Sequence, residues 1–288
     1  MIAESELILN PDGSIYHLHL KPEDIGEFII LVGDPGRVAS VSKHFESITF
    51  RMSNREFVTH TGLFNNKKVT ALSTGIGTDN IDIVLNELDA LVNIDLNTRE
   101  IKKEKRKLNL VRIGTSGSLQ ADVPVDSFVM STHGIGLDGL LNYYSGLEKI
   151  NETKISEAFI KHMNWNTTLP YPYVIKNSEL LSEKIGKGLI TGITATAPGF
   201  FGPQGRTLRI QPAMPDLNEL LTSFSSEGNR ITNFEMETSA LYGLSAHLGH
   251  HALTVCTIVA NRIVKQYSKN YQAKVDELIQ LVLARLTA

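Results

Sequence analysis

The chain of 288 residues is long enough for one large α/β domain or two small ones. Its hydrophobic share of 42% and charged share of 20% are those of a folded globular protein and exclude a disordered one. A formal net charge of -3 gives no reason to expect nucleic acid or an acidic membrane surface as a partner. With Cys256 as the single cysteine, no signal peptide pattern and no apolar run of ~20 residues, we expect a cytoplasmic protein without an internal disulfide.

The N-terminal arm contains one alternating motif, from Tyr16 to Leu20, which predicts a strand with His17 and His19 on one face. Two histidines at that spacing could ligate a metal ion, but no third ligand stands near them in the sequence. We therefore expect no metal site in this arm.

The first predicted strand is the apolar run from Phe28 to Val32, and it ends in Gly33-Asp-Pro-Gly-Arg37. A helix pattern follows this turn. A buried strand, a glycine turn and a helix start are typical of anion sites, and the Arg37 guanidinium is a bidentate donor for phosphate. The alternative is an ordinary turn with a solvated arginine.

A second glycine turn, Gly75-Ile-Gly-Thr78, follows a predicted hairpin and strand between residues 50 and 74. It leads into a predicted helix from about Asp79 to Val92. The basic stretch from Asn93 to Asn109 is predicted to be a solvated helix extension or a surface loop. It lacks interleaved aromatic residues, so it does not favour a nucleic-acid site.

The next strand, Leu108 to Gly117, is apolar except for Arg112. A guanidinium in a buried strand is costly unless an anion matches its charge. Bound phosphate would supply that anion, and a structural carboxylate is the alternative. The segment Gly114-Thr-Ser-Gly117 adds backbone amides and two hydroxyls at the end of the strand.

The second half of the chain repeats the strand-to-loop pattern at a segment rich in aromatic residues. The predicted strand Gly188 to Thr196 leads into a loop that contains Phe200, Gln204 and Arg206. An aromatic ring can stack on a planar base, while an amide and a guanidinium can bond its polar edge. The alternative is a hydrophobic plug. Further predicted elements are a β segment at Val123 to Met130, helices at Ser178 to Gly186 and Leu217 to Ser225, a buried strand at Leu253 to Ala260 and a helix at Ala273 to Leu286.

Two acids, Glu235 and Glu237, stand directly before an apolar helix pattern that starts near Ala240. Thr238 and Ser239 are available as helix caps. Carboxylates fixed at a strand-to-helix junction can accept hydrogen bonds from the vicinal hydroxyls of a ribose. The alternative is that the acids merely favour the first helical turn. No repeat and no linker composition interrupts the chain, so we predict a single domain over residues 1–288.

Five motifs occur in the order found in the nucleoside phosphorylase-I family, which the chain resembles over nearly its whole length: Gly33-Asp-Pro-Gly-Arg37, Ser73-Thr-Gly-Ile-Gly77, Arg112-Ile-Gly-Thr-Ser-Gly117, Gln204-Gly-Arg206 and Asn233-Phe-Glu-Met-Glu237. The resemblance implies a three-layer α/β domain with a central mixed, partly barrel-like sheet flanked by helices. It also implies a reversible phosphorolysis of a nucleoside to the free base and ribose 1-phosphate. Inorganic phosphate would be the co-substrate, with no organic cofactor.

The resemblance assigns site residues to three groups and catalysis to Arg206, Gln204 and Arg112. The phosphate group comprises Gly33, Arg37, Arg55, Arg112 and Thr115. The ribose group comprises His17, Glu235, Met236 and Glu237. The base group comprises Phe200, Gln204, Arg206 and Arg262.

Within the family, the pattern is most similar to the members that act on uridine. Arg262 follows Asn261 where purine-specific relatives carry a catalytic aspartate. A purine nucleoside phosphorylase, a hydrolytic nucleosidase and a nucleoside-binding module without turnover are the alternatives.

The resemblance also implies a homo-oligomer, at least a dimer and in its full form a hexamer built as a trimer of dimers. The reason is that Arg55 and His17 match residues that act in a neighbouring subunit's site. Glu56 and Ile76 match positions that bind a monovalent cation such as potassium in some relatives, but Asn80 stands where those have serine.

Overall fold

The computed structural model describes residues 1–288, with fourteen strands and seven α-helices. The strands are β1 (Phe28–Val32), β2 (Ser47–Asn54), β3 (Phe57–Phe64), β4 (Lys67–Ser73), β5 (Ile94–Asp95), β6 (Glu100–Ile101), β7 (Asn109–Ser118), β8 (Phe128–Gly136), β9 (Tyr173–Lys176), β10 (Ile190–Thr196), β11 (Ser225–Ser226), β12 (Asn229–Glu235), β13 (His251–Asn261) and β14 (Gln266–Tyr267). The helices are α1 (Pro35–Ser42), α2 (Thr78–Asn93), α3 (Thr153–Met163), α4 (Glu179–Ile185), α5 (Leu217–Ser223), α6 (Thr238–Leu248) and α7 (Tyr271–Thr287).

Twelve of the strands form one mixed sheet that closes on itself over part of its width. In this ring β7 pairs with β13, β13 with β8, β8 with β10, β10 with β12, and β12 again with β7. From β7 the sheet continues as an open extension through β1, β4, β3 and β2. The predicted mixed, partly barrel-like sheet of a single α/β domain is therefore confirmed.

The parallel centre of the sheet is apolar because helices cover both of its faces. On β1, Ile29 and Leu31 pack with α2 and α6, while Ile30 and Val32 pack with α1 and α7. Successive strand residues face opposite sides, so this alternation divides the core into two layers. A third cluster joins β8, β10 and β12 to α3 and α5. None of the seven helices is both long and apolar enough to cross a membrane.

Two local predictions are wrong, and a third holds in only one of its two alternatives. Tyr16 to Leu20 is a turn instead of a strand, with His19 at a φ of 56°, so His17 and His19 share no strand face. The basic stretch has no helix extension but consists of the short hairpin β5–β6 and an exposed loop, so the surface-loop alternative is confirmed. Thr238 and Ser239 do not cap α6, because Glu237 occupies the N-cap position and the Glu235 carboxylate bonds the free amides.

Candidate active site

A cavity of about 740 Å³ opens where β7 exchanges one neighbour for another. Up to Arg112, β7 pairs with β1, whereas at Gly117 and Ser118 it pairs with β12. The carboxyl ends of β1 and β12 diverge between these points, and such a switch of strand neighbours is a common place for a ligand crevice. The volume lies within the usual range for small-molecule sites.

Most of the predicted site residues line this one cavity. They are Gly33, Arg37, Arg112, Thr115, Phe200, Gln204, Arg206, Glu235, Met236 and Glu237, together with Glu56 and Ile76. Arg37, Arg112 and Arg206, which belong to three distant parts of the sequence, therefore face a common space. His17, Arg55 and Arg262 do not line it.

The end of the cavity next to α1 carries two guanidinium groups. Asp34 caps α1 by accepting a hydrogen bond from the Gly36 amide at 2.8 Å, which fixes the turn that presents Arg37. Arg37 has no carboxylate partner, and its Nη1 donates only to the Ile113 carbonyl at 3.4 Å. Burial, and then the charge of Arg112, lowers the pKa of Arg37. A bound anion would relieve this repulsion between two arginines.

Arg112 is buried between two carboxylates. Its Nη2 donates to Glu237 Oε2, and its Nη1 lies 3.7 Å from Glu235 Oε2, with 5% of the Arg112 side chain exposed. The Nε and Nη1 atoms of Arg112 have no hydrogen-bond partner. Structural carboxylates, the alternative to bound phosphate as the anion beside Arg112, are therefore present. The unpartnered nitrogens still leave donors for a second anion.

Glu235 holds the start of α6. Its carboxylate accepts hydrogen bonds from Thr196 Oγ1 at 2.8 Å and from the backbone amides of Glu237 and Thr238 at 3.0 Å. Burial raises the pKa of Glu235 to about 7, against the opposing charge of Arg112 and together with that of Glu237. Each of its oxygens already accepts two hydrogen bonds, whereas Glu237 Oε1 accepts one, so Glu235 acts on the position of Glu237. Its contact with ribose stays a prediction.

Glu237 connects three segments of the chain. Besides Arg112, it bonds the Gly77 amide, which donates to Oε1 at 2.9 Å. Gly77 has a φ of 99°, a backbone conformation that a residue with a Cβ rarely adopts. The second glycine turn therefore orients a carboxylate, a role that the sequence alone did not reveal.

The opposite end of the cavity is formed by the loop after β10. The Arg206 guanidinium lies 3.8 Å from the centre of the half-exposed Phe200 ring. Arg206 Nη1 donates to Gln204 Oε1 and to the Phe200 carbonyl, each at 2.6 Å. Because Oε1 is bonded, Gln204 presents its amide nitrogen as a donor. Arg262 Nη1 donates to the Gln204 carbonyl at 2.6 Å, so Arg262 supports the loop from outside the cavity.

His17 and Arg55 form a separate surface cluster with Tyr16. His17 Nδ1 lies 2.6 Å from a Glu87 carboxylate oxygen, and Asn54 Nδ2 donates to the His17 carbonyl at 2.8 Å. The Arg55 guanidinium lies 5.8 Å from the centre of the Tyr16 ring. The two residues that the resemblance assigns to a neighbouring subunit's site thus lie together in this chain.

Several cavity residues were not predicted from the sequence. Phe234 lies in β12, within a motif of which only Glu235, Met236 and Glu237 were assigned, and Val259 and Ala260 lie at a bulge in β13. Tyr267, on β14, lies at the far side of the bulge. No sequence pattern pointed to Tyr267.

Comparison with known proteins agrees with this geometry. Residues 27–288 match the model of the Phosphorylase superfamily. The uridine phosphorylase of Thermococcus kodakarensis is 27% identical over 266 residues, which are 90% of this chain and 81% of that protein. A DeoD-type purine nucleoside phosphorylase of Buchnera aphidicola is 23% identical over 271 residues, which are 93% of this chain and 97% of that protein.

Among solved structures, a Trypanosoma brucei nucleoside phosphorylase that shows uridine phosphorylase activity superposes with a TM-score of 0.90. Its sequence is 30% identical, and the match covers 98% of this chain and 100% of that one. The resemblance inferred from the five motifs is confirmed. The chain belongs to the phosphorylase superfamily and is a nucleoside phosphorylase, a pentosyltransferase.

Proposed function

We propose that this enzyme catalyses the reversible phosphorolysis of uridine to uracil and ribose 1-phosphate. One observation carries the proposal. A single cavity holds guanidinium groups at one end, a carboxylate in the middle and an amide–guanidinium pair at the other end. This order matches the three parts of the reacting complex, which are phosphate, ribose and base.

Phosphate would bind between Arg37 and the free donors of Arg112. Arg37 has no carboxylate partner, and Nε and Nη1 of Arg112 have no hydrogen-bond partner, so both can bond an anion without losing a strong contact. Phosphate is ionised at neutral pH and needs no general base. Holding this nucleophile beneath the sugar contributes through proximity and orientation.

Charge develops in two places as the bond between C1′ and N1 breaks. The ribosyl group becomes cationic, and Glu237 lies where it can accept bonds from the sugar hydroxyls and offset that charge. Uracil becomes anionic, and Arg206 with the Gln204 amide would donate to its carbonyl oxygens. Preorganised donors of this kind stabilise a transition state more than its ground state.

Arg262 favours a pyrimidine over a purine as the base. The resemblance implies that Arg262 follows Asn261 where purine-specific relatives carry a catalytic aspartate, and here no acid stands there. The relatives include enzymes of both kinds, so purine nucleosides are the second candidate substrates. Hydrolysis is disfavoured because it would leave Arg37, and the Nε and Nη1 atoms of Arg112, without an anion to bind.

We further propose a homo-oligomer, at least a dimer and in full a hexamer arranged as a trimer of dimers. The cluster of His17 and Arg55 supports this, because it lies outside the cavity of its own chain and leaves Arg55 exposed without a carboxylate. The residues fit a potassium ion poorly. Asn80 Nδ2 donates to the Ile76 carbonyl at 3.2 Å, the oxygen that the cation would need, so we derive no step through it.

The test is an assay of the purified protein with uridine, deoxyuridine, thymidine, inosine and adenosine, with and without phosphate. We expect release of uracil from uridine together with ribose 1-phosphate, and no release when phosphate is omitted. Base release without phosphate would indicate a hydrolase. Turnover of inosine but not of uridine would indicate a purine phosphorylase, and no turnover would indicate a binding module.

Replacing Gly114 with alanine is expected to lower kcat/KM by about tenfold or more, because a misplaced catalytic group is costly even over small displacements. A Cβ at Gly114 would lie 2.0 Å from Arg112 Nη1 and 2.8 Å from Cys256 Sγ, so Arg112 must move. Cys256→Ala removes the second contact alone and serves as the control. If the double variant recovered wild-type activity, the clash with the thiol would be the cause, and the proposed displacement of Arg112 would be wrong.

A further inference from the structure

Four cavity residues stand in one row across neighbouring strands. Phe234 on β12 is opposite Gly117 on β7, Gly117 is opposite Ala260 on β13, and Ala260 is opposite Tyr267 on β14. Residues paired in this way point to the same face of a sheet, and all four line the cavity. Along the row, the side chains are therefore aromatic, small, small and aromatic.

The two small residues leave a gap between the two aromatic rings, and the stem of Arg262 borders this gap, since a Cβ at Gly117 would lie 3.7 Å from Arg262 Cδ. Neighbouring strands lie about 4.8 Å apart, so three steps separate the Cα atoms of Phe234 and Tyr267 by roughly 14 Å. Phe234 is fixed in the core with 2% exposure, whereas Tyr267 is 66% exposed. A planar base beside Ala260 is therefore limited by these two rings and by the Arg262 stem that covers Gly117.

Tyr267 is exposed but its backbone is held on both sides. Gln266 pairs with Asn261, and the Ser268 amide donates to the Val259 carbonyl at 2.8 Å. The Ser268 hydroxyl also bonds Asp126, and the Tyr267 ring meets the edge of Tyr271 at 6.5 Å between centroids. An aromatic side chain that borders a cavity on a fixed backbone, without a hydrogen-bond partner for its hydroxyl within the chain, suits contact with a ligand.

The polar edge of the base would face away from Tyr267. Gln204 and Arg206 lie in the loop that follows β10, and β10 pairs with β12 at the Phe234 end of the row. Tyr267 lies at the opposite end, on the far side of β13. A pyrimidine whose carbonyls bond Gln204 and Arg206 would therefore turn its apolar C5–C6 edge toward Tyr267.

We propose that Tyr267 is a specificity-determining residue that limits the size of the substituent at C5 of the pyrimidine. The proposal rests on the proposed function, because it takes a pyrimidine nucleoside as the substrate. It predicts that unsubstituted uridine is preferred over 5-methyluridine, and that the ring of Tyr267, not its hydroxyl, makes the difference.

The experiment compares kcat/KM for uridine and 5-methyluridine in the wild type, Tyr267→Ala, Tyr267→Phe and Tyr143→Ala. Tyr143 is exposed and does not line the cavity, so Tyr143→Ala is the control. We expect Tyr267→Ala to raise the ratio for 5-methyluridine over uridine by about tenfold, the effect typical of one methyl group in a pocket. Tyr267→Phe and the control should keep the wild-type ratio.

Failure of this inference can be distinguished from failure of the proposed function. A wild type inactive on both nucleosides overturns the function and the inference together. A wild type that is active while Tyr267→Ala changes the ratio by less than about twofold overturns the inference alone. Equal loss of activity on both nucleosides in Tyr267→Ala has the same meaning, since a ring that sets specificity must affect them differently.

Discussion

Replacing Arg206 with alanine is expected to lower kcat for uridine phosphorolysis by about a hundredfold to a thousandfold, the effect of losing one preorganised donor to a developing anion. The change should fall mainly on kcat, because the carbonyl of bound uridine is neutral and becomes charged only as the base leaves. Arg206 also bonds Gln204 Oε1 and the Phe200 carbonyl. Its loss would therefore loosen the second donor as well.

Steady-state kinetics with three variants test this role. Arg209 lies in the same loop but is exposed and outside the cavity, so Arg209→Ala is the control and should keep wild-type kcat. Arg206→Lys should fall between wild type and Arg206→Ala, because it keeps the charge but loses the forked geometry. The penalty should shrink for 5-fluorouridine, whose base is a better leaving group. Full activity of Arg206→Ala would exclude Arg206 from leaving-group stabilisation.

Replacing Arg112 with methionine is expected to destabilise the fold by about 3–5 kcal/mol as well as to weaken catalysis, because it leaves two buried carboxylates without their cation. The two side chains that pair with Arg112 are 3% and 4% exposed, so water cannot replace the guanidinium. Glu237 would also lose a partner that helps to orient it for ribose. The effect on stability and the effect on activity therefore have one cause.

The loss of unfolding free energy caused by Arg112→Met should grow as the pH rises. Glu235 already has a pKa raised above its ordinary value of 4.5 to about 7, so the folded state holds a proton that the unfolded state releases. Unfolding is then favoured as the pH rises from about 4.5 toward 7. Removing Arg112 withdraws the charge that lowers this pKa, so the variant should continue to lose stability at higher pH.

Urea unfolding between about pH 6 and about pH 8 measures this difference. The gap in unfolding free energy between wild type and Arg112→Met should widen as the pH rises. Arg37→Met is the matched control, since Arg37 has no carboxylate partner and its removal should change stability little. A gap that stays constant or narrows with pH would show that the carboxylates do not depend on Arg112.

The sequence allowed prediction of those parts of the site that depend on one segment at a time. The apolar run Phe28–Val32 and the glycine turn after it are local signals, and the strand has the predicted bounds. The cost of burying Arg112 could also be read from its strand. The identity of its partners could not, because Glu235 and Glu237 reach Arg112 only when β7 lies between β12 and β13.

The wrong predictions also arise from contacts between segments that are distant in the sequence. Tyr16 to Leu20 alternates like a strand, but the backbone amides of His17 and Leu18 both donate to the Glu87 carboxylate, which holds a turn. Thr238 is a good capping residue, yet the Glu235 carboxylate, at the end of strand β12, accepts the bonds of the free amides. Tyr267 gave no sequence pattern at all, since its importance depends on the register of four strands.

The Glu237 carboxylate joins segments more than a hundred residues apart, through Gly77 and Arg112. These bonds need distant segments to be assembled, because Arg112 meets Glu237 where β7 pairs with β12, and Gly77 follows β4, which joins the sheet through β1. Catalytic competence should therefore appear late in folding, and a denaturant titration should abolish turnover and native fluorescence at one shared midpoint. The same argument implies slow deuterium uptake at the Gly77 amide, comparable with that of the central strands.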